Sequence, residues 1–365
     1  MANPDLGGAP FFGTDLFGGE LADSSDPYFG EGELFSGASD PYFGEGELSW
    51  GTSASHVGDG ELFAQTSGVT DGQTVTGAAG EVVPRAQVDG WYIGQDENGA
   101  ARIYDPATTA PDEIRPITPQ TASPSGETTI FVNGINNGPD DAAKAGQTPA
   151  ETSGDEVYTL YNNAHFGDVA VNNAESPAVE ALAETIYHKV IAGEEVRVAS
   201  TSEGSQVTRV ALEQVEARLL DEFGFTPNTN ARGQVVSEPS DTDLEAQEMT
   251  EELLGQVKVM TYGGNEHRFP VDGPKYLHFV DSGDPGSNLK YQNSEAGEGA
   301  VVVYFNSWLP TIPAHDLEGN YLPEIGRFSF DEYYDAHTAS DGGVTEVSLD
   351  DIVDDAGGEG TIVPF

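Results

Sequence analysis

A serine in a sharp turn is the residue of this chain best suited to do chemistry. The run Val196–Gln206 reads V-R-V-A-S-T-S-E-G-S-Q, in which a β-branched stretch ends in small residues and apolar positions then recur at helical spacing. The pattern predicts a strand, a tight turn with Ser202 at its apex, and a helix. A hydroxyl held there projects above the edge of a sheet, and the N–H of Glu203 faces the space where an oxyanion would form. This arrangement suits nucleophilic attack on a carbonyl carbon.

An ordinary strand-to-helix turn is the alternative interpretation of this stretch. Serine and glycine are abundant in the chain, so S-x-S-x-G at 200–204 is a weak signal by itself. A catalytic serine in such a turn also needs a sheet edge and partner residues around it, so the elements on both sides of the turn distinguish the two interpretations.

Strand and helix patterns alternate along the middle of the chain. Asn98-Gly99 supplies the turn of a predicted hairpin over 91–104. Further strands are predicted at 128–133, 157–161, 196–201, 257–262, 276–280 and 301–305. Helices are predicted from Ser176 to about Gly193, from the turn to about Phe223, and from a capping box at Thr242 to Gly255. The order predicts an α/β fold with a mostly parallel sheet flanked by helices.

These elements resemble the α/β-hydrolase superfamily, in particular lipase- and esterase-like bacterial members whose first strand ends in an N-G-I turn. That turn stands here at 133–135, and the resemblance covers about residues 128–325. The nucleophile elbow of the family is G-x-S-x-G. Ser200 replaces its first glycine, and Thr201 stands where a histidine is frequent. The resemblance implies an α/β-hydrolase-like fold and hydrolysis of an ester.

A catalytic triad in the chain order Ser…Asp…His is also implied by the resemblance. Ser202 would be the nucleophile and Asp284, in the D-P that follows a late strand, would orient the imidazole. His315, downstream of the last predicted strand, would be the general base. Asp281, closer to the strand end, is the alternative acid, and His267 is the main alternative base.

Two backbone donors are needed for the oxyanion of this chemistry. The N–H of Glu203 is one, and the loop at Gly134 and Ile135 is expected to supply the other, since it follows the neighbouring strand. The carboxylate of Glu203 would oppose an oxyanion unless its side chain turns away. Asn133 and Asn136 either order this loop or satisfy turn backbone. The other histidines include His188 and His278, which are predicted to be structural.

Composition excludes several classes of function. The chain has 365 residues, 14 Lys and Arg against 63 Asp and Glu, a net charge of −49 and no cysteine. Disulfides, thiolate catalysis and Cys-based zinc sites are excluded, and a phosphate backbone would find no basic face, which argues against nucleic-acid binding. A surface adapted to high salt is favoured over a specific basic partner.

Neither a metal nor a cofactor is predicted. The chain lacks H-E-x-x-H, H-x-x-x-H and a P-loop, and the glycine stretch 134–138 is too short for a dinucleotide turn. It also lacks an apolar run long enough to span a membrane and, at its start, the pattern of a usual signal peptide. The expected location is therefore cytoplasmic by default, with non-classical export and association with an assembly as the alternatives.

The first 81 residues are rich in glycine and acidic residues and contain a repeat. D-P-Y-F-G-E-G-E-L occurs at Asp26–Leu34 and again, unchanged, at Asp40–Leu48. Each copy has an aromatic pair and a leucine, which suits a motif that docks on a protein partner, although a solvated spacer is the alternative. We therefore predict an N-terminal arm at 1–81, a hydrolase-like domain at 82–327, and an acidic tail at 328–365.

Two hypotheses about function follow from the sequence. The first is a serine hydrolase that cleaves a small-molecule or lipid ester through an acyl-enzyme, without a cofactor. The second is a catalytically silent hydrolase fold that acts as a binding or structural component and docks through the N-terminal repeats. The departure from glycine at Ser200 and the repeats themselves favour the second hypothesis.

Overall fold

The structure of this chain is a computed structural model. The residues described are 74–78, 80, 82–109, 113–120, 122–135, 138–164, 176–225, 239–264, 268–284, 296–306, 317, 329–338 and 343–348. The two copies of the N-terminal repeat lie outside these residues, as do His165, His267 and His315.

The described strands and helices follow one another as the sequence patterns indicate. The strands are β1 (Thr74–Thr76), β2 (Val82–Pro84), β3 (Tyr92–Gln95), β4 (Ala101–Tyr104), β5 (Thr128–Val132), β6 (Glu156–Leu160), β7 (Val196–Thr201), β8 (Val257–Tyr262), β9 (Lys275–Asp281), β10 (Val301–Phe305) and β11 (Thr345–Ser348). The α-helices are α1 (Pro139–Ser153), α2 (Pro177–Ile191), α3 (Gly204–Glu222), α4 (Asp241–Leu254) and α5 (Phe330–His337).

A nine-stranded sheet organises the domain. Its order is β11-β10-β9-β8-β7-β5-β6-β3-β4, and the strands from β11 to β6 pair in parallel. Only the hairpin β3–β4 at one end pairs antiparallel. The prediction of an α/β fold with a mostly parallel sheet flanked by helices is confirmed. Because consecutive parallel strands need crossovers, the helices cover both faces.

Alternate side chains of each strand enter two separate cores. On β5, Ile130 and Val132 face the core that α2, α3 and α4 cover, whereas Phe131 faces the core that α1 and α5 cover. The strands β7, β8 and β9 are buried along both faces, which explains their near-continuous apolar runs. The sheet is therefore a rigid platform at its centre.

Several elements differ from the patterns read in the sequence. The residues 139–153, a polar stretch with alanines, form α1. The helix α4 is capped by Ser240, whose Oγ accepts the N–H of Asp243 at 3.2 Å, so that the capping box begins two residues before the predicted Thr242. The elements α5 and β11 lie within the range 328–365, and β11 pairs in parallel with β10.

None of the described helices is both long enough and apolar enough to cross a membrane.

Candidate active site

Ser202 has an unusual backbone conformation. Its φ is +51°, and among the described residues it is the one non-glycine residue with positive φ. An L-residue in this region costs roughly 1–2 kcal/mol, because its Cβ crowds the following carbonyl. Such strain persists only where the surrounding structure imposes it, and it clusters at functional sites. The predicted tight turn between strand and helix is present, with Ser202 between the end of β7 and the start of α3.

Close backbone packing around the turn requires small residues. A methyl group on Gly204 would lie 2.3 Å from the carbonyl oxygen of Val132, so α3 begins almost in contact with β5. A methyl group on Gly134 would lie 2.9 Å from the Cβ of Ser202 and 3.5 Å from its Oγ. The turn is therefore wedged against the end of β5, and a larger side chain at either glycine would move it.

Hydrogen bonds to the neighbouring strand hold the turn in place. The N–H of Ser202 and the Oγ of Thr201 both donate to the carbonyl oxygen of Tyr262, at 3.4 and 3.1 Å. The Oγ of Ser205 donates to the carbonyl oxygen of Ser202 at 2.6 Å. These contacts fix the backbone on both sides of Ser202, whose side chain is partly exposed.

The topology places this turn at a switch point of the sheet. From β5 the chain crosses to β6 on one side and then to β7 on the other, so that β5 lies between them. Crossovers in opposite directions open a crevice at the carboxyl ends of such strands, which is where parallel sheets bind ligands. Ser202 follows β7 and Gly134 follows β5, so both border this crevice.

The predicted oxyanion donors lie on the two sides of the switch point. Glu203 is the N-cap residue of α3, and its side chain is buried. The helix N-terminus has N–H groups without partners within the helix and favours negative charge near it. Gly134 lies against Ser202 as described above, and Ile135 follows it. The structure thus brings Ser202, Glu203 and Gly134 together.

Both candidate acids lie at the same edge of the sheet. Asp281 ends β9, two strands from β7, and both it and Asp284 are fully buried. Asp281 Oδ1 accepts the N–H of Gly283 at 2.8 Å, and the carbonyl oxygen of Asp281 accepts the N–H of Asp284 at 3.0 Å. In a chain so rich in acidic residues, complete burial distinguishes these two from carboxylates that solvate the surface.

The histidines described in the structure have other partners. His278 contacts Thr261 Oγ1 through Nδ1 at 2.8 Å and the carbonyl oxygen of Ala296 through Nε2 at 2.9 Å, and burial lowers its pKa to about 4. His188 pairs with Glu184 on α2. These two histidines have the structural surroundings that were predicted. The predicted base His315 and its alternative His267 lie outside the described residues.

The sequence indicated only one member of a buried asparagine pair that lies beside the site. Asn133, which was predicted to order the loop or satisfy its turn backbone, pairs with Asn162, the second residue after the end of β6. The signal available in the sequence was an asparagine within two residues of the end of each of two strands. Nothing in local spacing says that strands separated by a helix will be neighbours, so this pairing is visible only in the fold.

The opposite edge of the sheet also has a cleft, of about 230 Å³. Its lining includes Arg197, Asp155, Glu127 and Asp331, and the charges there are engaged in ion pairs. It lies at the amino ends of the strands, away from the switch-point crevice where parallel sheets bind ligands. The carboxyl edge, with its strained serine, is the better candidate for chemistry.

Metal binding gains no support from the described part of the chain, where no group of three or more His, Asp or Glu side chains is arranged to hold an ion. A comparison of the chain with protein-family models finds no match. Comparisons with curated proteins and with solved structures find none either.

Proposed function

We propose that this protein is a serine hydrolase that cleaves a carboxylic ester through an acyl-enzyme formed on Ser202. The observation that carries the proposal is the left-handed backbone of Ser202 at the switch point, wedged against Gly134. A strained serine is costly, and a turn with no catalytic role would favour glycine at this φ. The position presents a hydroxyl where a substrate carbonyl could reach it.

Each proposed site residue has one role in the reaction. Ser202 Oγ attacks the carbonyl carbon while its proton passes to the imidazole of His315. The tetrahedral oxyanion is stabilised by the backbone N–H groups of Glu203 and Ile135. The imidazolium then protonates the leaving alkoxide as the ester bond breaks, and a water molecule reverses these steps to release the acid. Asp284 holds the imidazole in one tautomer, with Asp281 as the alternative.

The fold and the elbow sequence support placing the chain among the α/β-hydrolases. The serine strand β7 lies between β5 and β8 in a parallel sheet, so the turn that follows it stands near the centre of the carboxyl edge. Ser200, which replaces the usual glycine, is fully buried and its Oγ donates to the carbonyl oxygen of Met260 at 3.5 Å. The departure is therefore accommodated between strands without disturbing the turn. A lipid ester is one substrate class that this family resemblance suggests.

Labelling with a fluorophosphonate tests the nucleophile directly. At high ionic strength, which suits so acidic a chain, the wild-type protein should be labelled and Ser202→Ala should not. Ser200→Ala is the matched control, because it removes a hydroxyl two residues away that is fully buried. Labelling that persists in Ser202→Ala would refute the assignment.

The same assay separates the alternative acids and bases. Removing the acid of a triad lowers turnover by about 10⁴-fold, because the imidazole loses its orientation. Asp284→Asn and Asp281→Asn should therefore differ greatly in labelling rate, as should His315→Ala and His267→Ala. Loss of labelling in Asp281→Asn or His267→Ala alone would reassign the triad but leave the enzyme hypothesis intact.

A binding or structural role is the second candidate function. It is favoured by the unchanged nonapeptide at Asp26–Leu34 and Asp40–Leu48 and by the buried carboxyl-bearing residue Glu203 beside the serine. In this case the repeats dock the chain on a protein partner and the site is silent. If instead the protein is an enzyme whose arm only docks it, deleting residues 1–73, which leaves β1 in place, should leave labelling and hydrolysis unchanged. A wild-type protein that is folded but never labelled would favour this second function.

A further inference from the structure

Two buried asparagines join the ends of β5 and β6 beside the candidate site. The side chain of Asn133 is fully buried, and that of Asn162 nearly so. The Oδ1 of Asn133 accepts the N–H of Asn162 at 2.9 Å, and its Nδ2 donates to the carbonyl oxygen of Asn162 at the same distance. One amide thus satisfies both backbone groups of the residue that follows β6.

The second hydrogen of the same amide reaches the candidate oxyanion loop. Asn133 Nδ2 also donates to the carbonyl oxygen of Gly134 at 2.7 Å. An asparagine that only joined the two strands would need its bonds to Asn162 alone. The additional contact fixes the peptide that links Gly134 to Ile135.

The direction of that peptide follows from its planarity. In a trans peptide the C=O and the following N–H point in opposite directions. The Gly134 carbonyl is drawn toward an amide bonded to Asn162, on the β6 side of β5. The N–H of Ile135 is consequently directed to the other side, where β7 and Ser202 lie.

The β6 end that anchors this amide is itself held firmly. The N–H of Asn163 donates to Asp89 Oδ1 at 2.8 Å, and the hydroxyl of Tyr161 donates to Asn163 Oδ1 at 3.0 Å. Asn162 lies between these two residues, so its backbone offers the Asn133 amide a fixed partner. A positioning group is effective only when its own support is rigid.

We propose that Asn133 is a positioning residue that aims the N–H of Ile135 at the oxyanion formed on Ser202. The inference rests on the proposed serine hydrolase function and adds a residue that touches neither substrate nor reacting atoms. Asn133 acts through the Gly134–Ile135 peptide. The chemical class of substrate is unchanged, a carboxylic ester whose carbonyl oxygen becomes negative in the transition state.

Steady-state kinetics of the full chain with p-nitrophenyl butyrate test this role. In Asn133→Asp the shape is kept and both Nδ2 bonds are lost, whereas Asn133→Ala removes the whole amide. The matched control is Asn162→Ala, because its side chain lies in the same buried pair but its backbone contacts to Asn133 remain. Thermal unfolding of each variant gives the accompanying loss of stability.

The expected result is a split between kcat and KM. Loss of one oxyanion donor lowers kcat by about 100- to 1,000-fold, so misdirecting it should lower kcat by about 10- to 100-fold. The KM should stay within about twofold, because the donor acts mainly in the transition state. A phenylboronic acid, which forms a tetrahedral adduct with serine, should lose affinity in parallel with kcat. The Asn162→Ala control should keep its kcat.

Other results overturn the inference in distinguishable ways. If Asn133 and Asn162 variants lose activity only in proportion to their loss of folded protein, Asn133 is structural. If the wild type is not labelled by the fluorophosphonate, the proposed function fails and this role fails with it. If both Asn133 variants fail to fold, the test is an NMR measurement of amide proton shifts in wild-type protein labelled with ¹⁵N-isoleucine. The amide proton of Ile135 should move downfield when the boronate adduct forms, and an unchanged shift would contradict the proposal.

Discussion

The two edges of the central sheet are built on opposite principles. At the carboxyl edge, Gly134, Ser202 and Gly204 bring backbones so close that added methyl groups would collide. At the amino edge, Arg197 and Lys258 stand side by side on β7 and β8 and are surrounded by carboxylates. At the carboxyl edge the turn depends on small residues and on a strained backbone, whereas the amino edge is held by ion pairs.

The amino edge is arranged to stabilise the fold. Glu195 and Asp331 each contact both Arg197 and Lys258, at 2.5–3.1 Å, and Asp331 belongs to α5. Burial disfavours the charged form of Asp331, but the hydrogen bond and charge of Lys258 and the charge of Arg197 outweigh it and lower its pKa. The network therefore fastens α5 to the sheet.

The carboxyl edge shows how the same sheet can support chemistry. It uses few bulky side chains at the turn, so backbone N–H groups and one hydroxyl can face the crevice between β5 and β7. Strain at Ser202 is stored where the rest of the sheet is rigid enough to impose it. The two edges therefore differ in what holds them together, ion pairs at one and close backbone packing at the other. Under the proposed function, this difference can be tested at each end.

Arg197→Ala should give the largest loss of stability. Removing one partner of a buried ion pair costs about 3–5 kcal/mol, because the remaining charges are left buried and uncompensated. Here Asp155 is fully buried, with its carboxylate 3.8 Å from the Arg197 guanidinium. Chemical denaturation should show a loss of about 3 kcal/mol. The labelling rate of the folded protein should not change, since the site is at the other edge.

A partly exposed arginine provides the control for this change. Arg102 pairs with Asp96 at 2.9 Å in the β3–β4 hairpin, with 37% of its side chain exposed. Its replacement by alanine should cost at most about 1 kcal/mol. If Arg197→Ala slowed labelling without unfolding the protein, the division between the two edges would be wrong.

Gly204→Ala should affect stability and chemistry together. Its methyl group would meet backbone atoms of Val132 and Asn133 at 2.3–3.0 Å, which cannot rotate away. Such overpacking costs about 1–3 kcal/mol, and the accompanying shift of α3 from β5 should lower the labelling rate by more than about 10-fold. Both quantities are measured on one preparation by denaturation and fluorophosphonate labelling.

Gly224→Ala introduces backbone strain without the steric collision that Gly204→Ala introduces. Gly224 follows α3 with φ +81° and has open space around it, so alanine there meets strain but no collision. We expect a cost of about 1 kcal/mol and unchanged labelling. Equal loss of labelling in both variants would show that the turn tolerates no destabilisation, whatever its origin.

Ser202→Gly should reveal the strain that the serine stores. Glycine adopts positive φ without penalty, whereas alanine at the same position keeps the strain. Both variants are expected to be inactive, and Ser202→Gly should be more stable than Ser202→Ala by about 1 kcal/mol, measured by denaturant unfolding. A glycine variant that is the less stable of the two would mean that the turn is not strained.

The central sheet was predictable because its signals are local. Each strand from β5 to β10 contains several β-branched or aromatic residues, and the helix at Ser176-Pro177 begins with residues that favour helix starts. The turn at Ser202 was predictable for the same reason, since a strand, small residues and an amphipathic helix follow one another directly. Its left-handed φ agrees with the predicted tight turn.

Other features depend on contacts between distant parts of the chain. The helix α1 contains Gly146 and Pro149, both poor helix formers, and Gly146 is small because a methyl group there would collide with Thr159 of β6. The contact of Asp331 with Arg197 joins residues far apart in sequence. Nothing near either residue indicates this contact, so the ion-pair edge could not be predicted.

Carboxylates away from the amino edge behave in the opposite way. Glu216 on α3 is partly buried, and its neighbours include Asp272, Glu213 and Glu251, which carry the same charge. Burial and these charges raise its pKa to about 7. At the amino edge, by contrast, hydrogen bonds and charges of Lys258 and Arg197 lower the pKa of Glu195 against the effect of burial. The same residue type thus stabilises one region and destabilises the other near neutral pH.

Glu216→Gln should therefore stabilise the protein at pH 8 and have little effect at pH 4. The pKa of Glu216 is higher in the folded than in the unfolded protein. The stability that its protonated carboxyl group contributes is therefore fully present below the unfolded pKa of about 4.5, and it is lost as the pH rises through about 7. Glutamine has no such dependence. After allowance for partial exposure, the gain at pH 8 should be about 1 kcal/mol by denaturant unfolding, and it should shrink in high salt. Glu97→Gln, in the exposed β3–β4 turn, is the matched control for the removal of one negative charge. If Glu216→Gln gave the same change at both pH values, the repulsion between these carboxylates would not be a source of instability, and the contrast with the amino edge would be lost.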